Sequence, residues 1–463
     1  MDPFQEPEVR PAAAALLYRE SREGPLIYLA RRNPEARFFP GYHAFVGGGV
    51  SRTDGSPREE EAFRRCVVRE LQEELGIRIP VHTLQPAGRL LTPDFVPIRY
   101  DTRYYAAPCA DQEPEPAPPE LVSGRWFRPE EALESWDRGE ILLASPVILV
   151  LRTLRDRGLH EGLAAWAEVD TAERDREPYI ELRPNVRFLP LAVSTLPPAR
   201  TTNTVLVGGD GPDGGTYLLD PGGPKGAARD DLEDFVTRHV EAWGPLQAVL
   251  LSHHHSDHAG AAGEMAEAFQ APIRAHPKTR ARLDPAWPWG EDLADGTRLT
   301  AGTHAATGQP ITLRAIHTPG HAPGHLAFLE ESTRTLLAAD MVAGLGTILV
   351  DPAEGDMAAY MASLERLRQV EPQVILPGHG PFSDHPDRLL ERTLEHRRQR
   401  EERVAAALTD RPAPVDALLP EVYDDVPKAF HGYAAQSLEA HLVKLQTEGR
   451  AARHGEDGWR RAP

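Results

Sequence analysis

A chain of 463 residues is too long for one ordinary hydrophobic core, so two or three domains are expected. Its 51 Lys and Arg against 70 Asp and Glu leave a formal net charge of −19, which works against loose attraction to nucleic acid or an anionic membrane while allowing a local basic site. Two cysteines, Cys66 and Cys109, exclude a disulfide framework and a Cys-rich zinc ribbon. The acidic amino terminus carries no apolar run of signal length, and no later stretch reaches the roughly 18 apolar residues of a membrane span, so a cytoplasmic chain is expected.

In chain order, strands are predicted over residues 12–18 and 26–30, then Gly47, Gly48 and Gly49 precede a long helical pattern ending near Leu75. Strands follow at 88–91 and 100–107, and a Pro- and Glu-rich loop at 111–119 precedes a strand at 125–127. A first domain over 1–165 and a linker over 166–178 are predicted. Successive strands at 179–191, 204–208 and 216–219 open a second α/β domain, 179–385. From 386 to 463 the pattern is helical, at 388–408, 420–426 and 437–448, with a short hairpin over 450–461.

The apolar strand at 248–251 runs into His253, His254, His255, Asp257 and His258 on one strand-to-helix loop. Imidazoles so crowded repel when protonated, whereas neutral imidazole is a good ligand for zinc and a carboxylate can neutralise the ion. The HxHxDH alternation lets His253 and His255 face one ion while Asp257 and His258 reach a second, with His254 pointing away. Two further strand ends carry the same chemistry: His317, His321 and His325 in HTPGHAPGH, and His379 in LPGHG. The apolar run 335–339 delivers Asp340, a carboxylate able to bridge two ions. His43 and His160, by contrast, read as ordinary core or surface histidines.

These residues resemble the metallo-β-lactamase superfamily over about 179–384. The resemblance implies one ion on His253, His255 and His321, another on Asp257, His258 and His379, Asp340 bridging, and His317 and His325 in supporting roles. Two zinc or other transition-metal ions would then activate water against an ester, thioester or phosphodiester. Stretches at 202–204, 344–347, 354–356 and 360–364 look most like the glyoxalase-II-related branch that includes the mitochondrial β-lactamase-like endoribonuclease, and the tail at 437–449 resembles that group's winged-helix-like domain. Tail charge is balanced, because Arg397, Arg398, Arg400 and Arg403 sit among Glu391, Glu395, Glu401 and Glu402, which favours a solvated helix over a nucleic-acid face.

In the first domain, Glu70, Glu73 and Glu74 fall within about one third of a helix circumference, beside a core-facing arc of Val67, Val68, Leu71 and Leu75. Like charges at that spacing repel, and a hard Mg²⁺ or Mn²⁺ ion would relieve the repulsion and bridge substrate phosphates. The pattern from Gly55 through Glu61 to Arg69, Glu70, Glu73, Glu74, Gly76 and Ile77 resembles the Nudix box, over about 11–156. That resemblance implies Glu70, Glu73 and Glu74 as metal ligands, Arg69 orienting Glu70, Glu61 supporting the water or outer shell, and Gly47, Gly48 and Gly49 approaching a substrate phosphate. A longer loop at 50–54 departs from compact members. With Leu91, Thr92, Pro93 and residues 99–105, it is similar to the coenzyme A diphosphatase subgroup.

The fold class expected is therefore α/β multidomain: a Nudix α/β/α sandwich, a metallo-β-lactamase αββα sandwich, and a small helical winged-helix-like domain. The expected function is a bifunctional metallo-hydrolase acting on small molecules such as a nucleoside diphosphate derivative or acyl-coenzyme A, with no membrane partner. One alternative is a single-stranded RNA endoribonuclease with an accessory Nudix domain, and another makes the Nudix domain a non-catalytic ligand sensor.

Overall fold

Alanine or leucine occupies every position from 12 to 17, the composition of a strand covered on both faces. In the computed structural model this run is the centre of β1 (Val9–Ser21), followed by β2 (Gly24–Arg32), β3 (His43–Ala44), β4 (Val46–Gly49), α1 (Glu60–Leu75), β5 (Gln85–Leu91), β6 (Arg99–Pro108), β7 (Leu121–Phe127), α2 (Pro129–Asp137), α3 (Ser145–Arg157) and α4 (Leu159–Ala167). The sheet runs β3-β2-β1-β6-β5, with β4 beside β1 and β7 beside β2. β1 and β6 pair in parallel and the other pairs are antiparallel. Alternation along β1 sends Ala14 and Leu16 to Trp136 and Leu151 of the α2–α4 layer, and Ala13, Ala15 and Leu17 to Phe63, Val67 and Leu71 of α1. The result is an α/β/α sandwich. Both cysteines are free and buried.

The structure describes residues 8–36, 39–92, 99–170, 179–209, 214–305, 307–455 and 458–463, in two units: 1–184 with 304–308, and 185–303 with 309–463. Pro93 and residues 171–178 of the expected linker lie outside the described residues. Helix α4 continues to Ala167, past the expected domain end at 165.

The strand expected over 179–191 is instead two, β8 (Ile180–Arg183) and β9 (Val186–Ala192), because Pro184 cannot donate to a ladder and Asn185 takes a left-handed φ of 67. After β9 come β10 (Thr201–Gly209), β11 (Gly215–Leu219), α5 (Ala227–Trp243), β12 (Leu246–Leu250), α6 (Ser256–Ala259), α7 (Ala262–Ala268), β13 (Ile273–Arg274) and α8 (Pro277–Arg280). Then follow β14 (Arg298–Thr303), β15 (Pro310–His317), β16 (Leu326–Glu330), β17 (Thr335–Ala339), α9 (Met357–Gln369) and β18 (Val374–Pro377). Within this unit one sheet runs β13-β12-β11-β10-β9 and the other β14-β15-β16-β17-β18. They meet where β10 and β11 contact β14. Helix α5 packs on the first sheet, while Leu364 and Leu367 of α9 cover Ile316, Leu336 and Ile375 of the second. This is the αββα sandwich.

The chain closes with α10 (Pro386–Ala407), α11 (Val415–Val422), α12 (His431–Thr447), β19 (Ala451–Arg453) and β20 (Trp459–Arg461). The helix expected at 420–426 starts earlier, after Pro414, and ends at Val422. Pro420 lies inside it, at a position whose N–H would otherwise bond back towards residue 416, rather than opening it. Leu389, Leu390 and Leu394 of α10 belong to the core of the sandwich, whereas Val404, Leu418, Leu438, Leu442 and Trp459 form a separate core. So α10 is shared: its first half is sandwich and its second half is tail. Among the described residues no helix is long and apolar enough to cross a membrane.

A Cβ on Gly320 would lie 2.2 Å from the Tyr360 Cα, a backbone atom of α9, whereas one on Gly432 in α12 would meet nothing within 4 Å. Gly320→Ala is therefore expected to destabilise by about 1–3 kcal/mol through overpacking. Gly432→Ala is expected to be neutral or to stabilise by up to about 1 kcal/mol, since alanine in the first turn of the helix loses less backbone entropy on folding than glycine. Thermal melts of the two variants read the contrast.

Candidate metal centres

Strand ends assemble the larger site. β12 delivers His253, His255, Asp257 and His258; the turn after β15 delivers His321; β17 ends in Asp340, and β18 leads to His379. His253 Nε2, His255 Nδ1 and His321 Nε2 stand 2.9, 3.0 and 3.3 Å apart. His258 Nε2 and His379 Nε2 are 3.3 Å apart, with Asp257 Oδ2 3.5 Å from the latter. Asp340 reaches both groups, its Oδ1 3.3 and 3.4 Å from the His258 and His379 nitrogens and its Oδ2 3.5 Å from His321 Nε2. Two nitrogens on one tetrahedral zinc lie about 3.3 Å apart, so both groups have ligand spacing. Gly378 makes room for this packing, because a Cβ there would lie 2.4 Å from Asp340 Oδ1.

Each of these imidazoles has already committed its other nitrogen outward. His258 Nδ1 donates to Asp220 Oδ2 at 2.8 Å, His321 Nδ1 to the Leu349 carbonyl at 2.7 Å, and His379 Nδ1 to the Thr201 carbonyl at 2.9 Å. His255 Nε2 donates to Glu354 Oε1 at 2.6 Å. His253 Nδ1 lies 2.9 Å from Ser252 Oγ, whose own proton goes to Asp220 Oδ2 at 2.6 Å. A neutral imidazole holding N–H outward presents a lone pair inward, so five lone pairs converge once a cation displaces the inward protons that Asp340 favours on His258 and His379. Asp340 Oδ1, buried and without a hydrogen-bond partner, completes a donor set suited to divalent cations.

Burial holds His253 well below the ordinary imidazole range and brings His321 to about 4. Burial acts the same way on His258 and His379, but the Asp340 carboxylate outweighs it, helped at His258 by Asp220, and both are raised. His325 supports Asp340 rather than joining either group: its Nε2 accepts the Asp340 N–H at 3.2 Å and its Nδ1 meets Thr318 Oγ1 at 2.8 Å. His317 stacks on His276, 4.3 Å between centroids, away from the groups. His254 does not merely point away; its Nε2 is 2.8 Å from Glu354 Oε2.

Several supporting residues escape sequence reasoning. Asp220 ends an apolar strand just as Asp340 does, a signal visible in the sequence. Thr195 Oγ1 donates to Asp257 Oδ2 at 2.5 Å, and Asn203 Nδ2 binds the Pro377 and Gly380 carbonyls at 2.9 and 2.8 Å, bracing the His379 loop. Thr195 carries no local signal, whereas Asn203 belongs to the 202–204 stretch singled out above, though its contact with the His379 loop does not show there.

The acidic site on α1 is arranged differently. Among the described residues, Glu70, Glu73 and Glu74 do not converge into a ligand group. Arg69 Nη1 takes Glu70 at 2.8 Å and Glu73 at 3.0 Å, while its Nε and Nη2 bind Asp54 at 3.0 and 2.9 Å. Asp54, which the sequence reading left out, is buried and also accepts the Ser51 N–H and Oγ–H, both at 2.8 Å. The longer loop at 50–54 thus supplies the anchor for Arg69. The loop at 111–119 caps α1, Glu115 and Ala117 donating to the Leu75 and Glu74 carbonyls at 2.9 Å. It brings Glu120 to Glu74, and burial with that shared hydrogen bond pushes the Glu74 carboxyl up to about 9.

Two expectations change here. Glu61 is exposed in the first turn of α1, about 13 Å along the axis from Glu70, because nine helical residues separate them. Gly47 and Gly48 lie on a strand: a Cβ on Gly47 would meet the Ala13 carbonyl at 2.3 Å, and one on Gly48 would meet Glu70 Oε1 at 2.2 Å. These two glycines admit neighbouring atoms, while a Cβ on Gly49 would have only the Pro11 carbonyl at 3.9 Å nearby.

Two outcomes follow for this site. Asp54→Ala leaves Arg69 without its buried partner and is expected to destabilise by about 2–4 kcal/mol, short of a fully buried pair because the Arg69 side chain is 25% exposed. A Glu74 carboxyl that keeps its proton at pH 7 must lose it to ligate, so Mn²⁺ binding is expected to release protons near neutrality and to tighten as pH rises towards 9. Calorimetry in buffers of different ionisation enthalpy reads the proton count, and Glu74→Gln should abolish the release.

Comparisons with known proteins agree with these folds. Family models described as NUDIX domain, metallo-beta-lactamase superfamily and beta-lactamase associated winged helix domain match residues 8–143, 197–379 and 415–459. A Beta-lactamase-like protein 2 homolog of Drosophila melanogaster is 29% identical over 51% of this chain and 82% of its own length. A hydroxyacylglutathione hydrolase of Bdellovibrio bacteriovorus is 33% identical over 28% of this chain but only 47% of its own length. The crystal structure of a beta-lactamase domain protein from Burkholderia ambifaria, 23% identical, covers 63% of this chain and 96% of its own with a TM-score of 0.53, a likeness of fold. The chain is therefore a metallo-hydrolase that joins a Nudix domain, a metallo-β-lactamase-superfamily domain and an associated winged helix in one polypeptide.

Proposed function

We propose that the second unit is a dinuclear hydrolase acting on a thioester or related acyl or phosphate ester, and that the Nudix domain cleaves a nucleoside diphosphate derivative such as coenzyme A or an acyl-coenzyme A. The observation that carries the first part is the outward commitment of all five imidazoles, which leaves two sets of ligand atoms sharing Asp340. His253, His255 and His321 hold one ion, Asp257, His258 and His379 the other, and the imidazole-rich set favours zinc. Ions bound there supply Lewis acidity towards the substrate oxygen and lower the pKa of a water. Asp257 is the more exposed of the two carboxylates, 16% against 9% for Asp340, and orients that water from the open side, held by Thr195. A glutathione thioester hydrolase among the relatives supports a thioester before the other bonds.

In the Nudix domain, Glu70, Glu73 and Glu74 would hold Mg²⁺ or Mn²⁺, which would bridge the diphosphate, with Arg69 fixed by Asp54. Turnover there, rather than ligand sensing alone, fits retention of all four residues. Single-stranded RNA is disfavoured as a substrate because arginines of the tail are spent on acids: Arg400 on Asp425 at 2.8 Å, and Arg450 on Glu401 at 3.2 Å.

The test is a panel of acyl-glutathione, acyl-coenzyme A, nucleoside diphosphate and RNA substrates against the full chain and two variants. Asp257→Ala is expected to lose thioester hydrolysis and keep diphosphate cleavage, and Glu70→Gln to do the reverse. RNA cleavage that depends on Asp257, or loss of both activities in either variant, contradicts this reading.

A further inference from the structure

Glu354 reaches two adjacent histidines at once. Its Oε1 accepts from His255 Nε2 at 2.6 Å and its Oε2 lies 2.8 Å from His254 Nε2. These three side chains have the spacing of a cation site, but His255 argues against a third ion. Its Nδ1 already faces His253 and His321, so giving Nε2 to another cation would strip both ring protons. The arrangement is instead a carboxylate clamp on the outer nitrogen of a ligand histidine. It differs in kind from the others: His255 is the histidine of the five that turns Nδ1, not Nε2, inward.

The clamp is itself anchored. Residues 347–356 provide the Leu349 carbonyl to His321 and Glu354 to His255, thereby gripping two of the three imidazoles of one group and none of the other. The segment presses on the turn before His321, where Asp356 N donates to the Gly320 carbonyl at 2.8 Å and a Cβ on Gly355 would lie 2.6 Å from that oxygen. From the carboxy-terminal helices, Arg397 Nη2 donates to Thr347 Oγ1 at 2.8 Å and also to the Ile348 carbonyl, and Gln436 Nε2 to Asp351 Oδ2 at 3.0 Å.

We propose that Glu354 is the positioning residue for His255, and that it sets the affinity of the ion held by His253, His255 and His321 while leaving the other ion unaffected. Acceptance of the Nε2–H fixes the tautomer whose Nδ1 lone pair points into the site and stops the ring from turning about its Cβ–Cγ bond. The inference rests on the dinuclear reading above, and one experiment separates the two.

The full chain, stripped by a chelator, is titrated with Zn²⁺ in competition with a chromophoric chelator. Wild type is expected to take two ions. Glu354→Met, close in size but with only a weakly accepting thioether in place of the carboxylate, is expected to bind one ion as wild type does and the other about 10–100-fold more weakly, the usual cost of losing an outer partner. Glu354→Gln keeps an acceptor oxygen and should restore most of the affinity; it carries the comparison against wild type, as a few-fold loss at one ion only, should the Met variant not fold. Two unchanged affinities in these variants, or equal weakening of both ions, overturns the role of Glu354. Fewer than two ions in wild type overturns the dinuclear reading itself.

Discussion

One buried carboxylate organises the larger site. Asp220 accepts the Ser252 N–H at 2.8 Å, the Ser252 hydroxyl at 2.6 Å and His258 Nδ1 at 2.8 Å. Through Ser252 it orients His253, and directly it orients His258, so one acid serves a histidine of each group. It sits at the carboxyl end of β11, beside the parallel β12 that carries those histidines, with a left-handed φ of 52. A non-glycine residue in that region is strained, and the three hydrogen bonds hold it there.

The two centres solve the same electrostatic problem in opposite ways. In the sandwich of two sheets, burial keeps His253 and His321 neutral and the Asp340 carboxylate lies between the two groups, so the ligand atoms converge. On α1 the acids are spread out: Glu70 and Glu73 share Arg69 with Asp54, and Glu74 shares a proton with Glu120. Imidazoles can be neutral and crowded; carboxylates cannot be crowded without a cation or a shared proton. The first arrangement suits a resident ion, and the second suits one that arrives with the substrate phosphates.

Much of this was legible in the sequence because the chemistry is local. HxHxDH, the histidine after β15, Asp340 and His379 each follow an apolar strand, and the structure brings all of them together. The Nudix box similarly forms one helix, stopped at Gly76 with φ 68. What was not legible depends on contacts distant in the chain. Asp54 matters because Arg69 lies 15 residues on, and Glu354 because His255 lies 99 residues back. The glycines before the box read as a phosphate loop because their spacing says nothing about Ala13 on the neighbouring strand. The helical pattern from 386 onward reads as tail throughout, because the leucine spacing of α10 does not reveal that its first half packs on the sandwich.

The central claim is that outward hydrogen bonds aim specific nitrogens at two shared sites. Anomalous diffraction from zinc-loaded crystals of the full chain tests it most directly. Two peaks roughly 3.5–4 Å apart are predicted. One should lie about 2.0–2.1 Å from His253 Nε2, His255 Nδ1 and His321 Nε2, and the other as close to His258 Nε2 and His379 Nε2, with Asp340 between them. A single peak, or ligation through His255 Nε2 or the outward nitrogens of the others, would contradict the account.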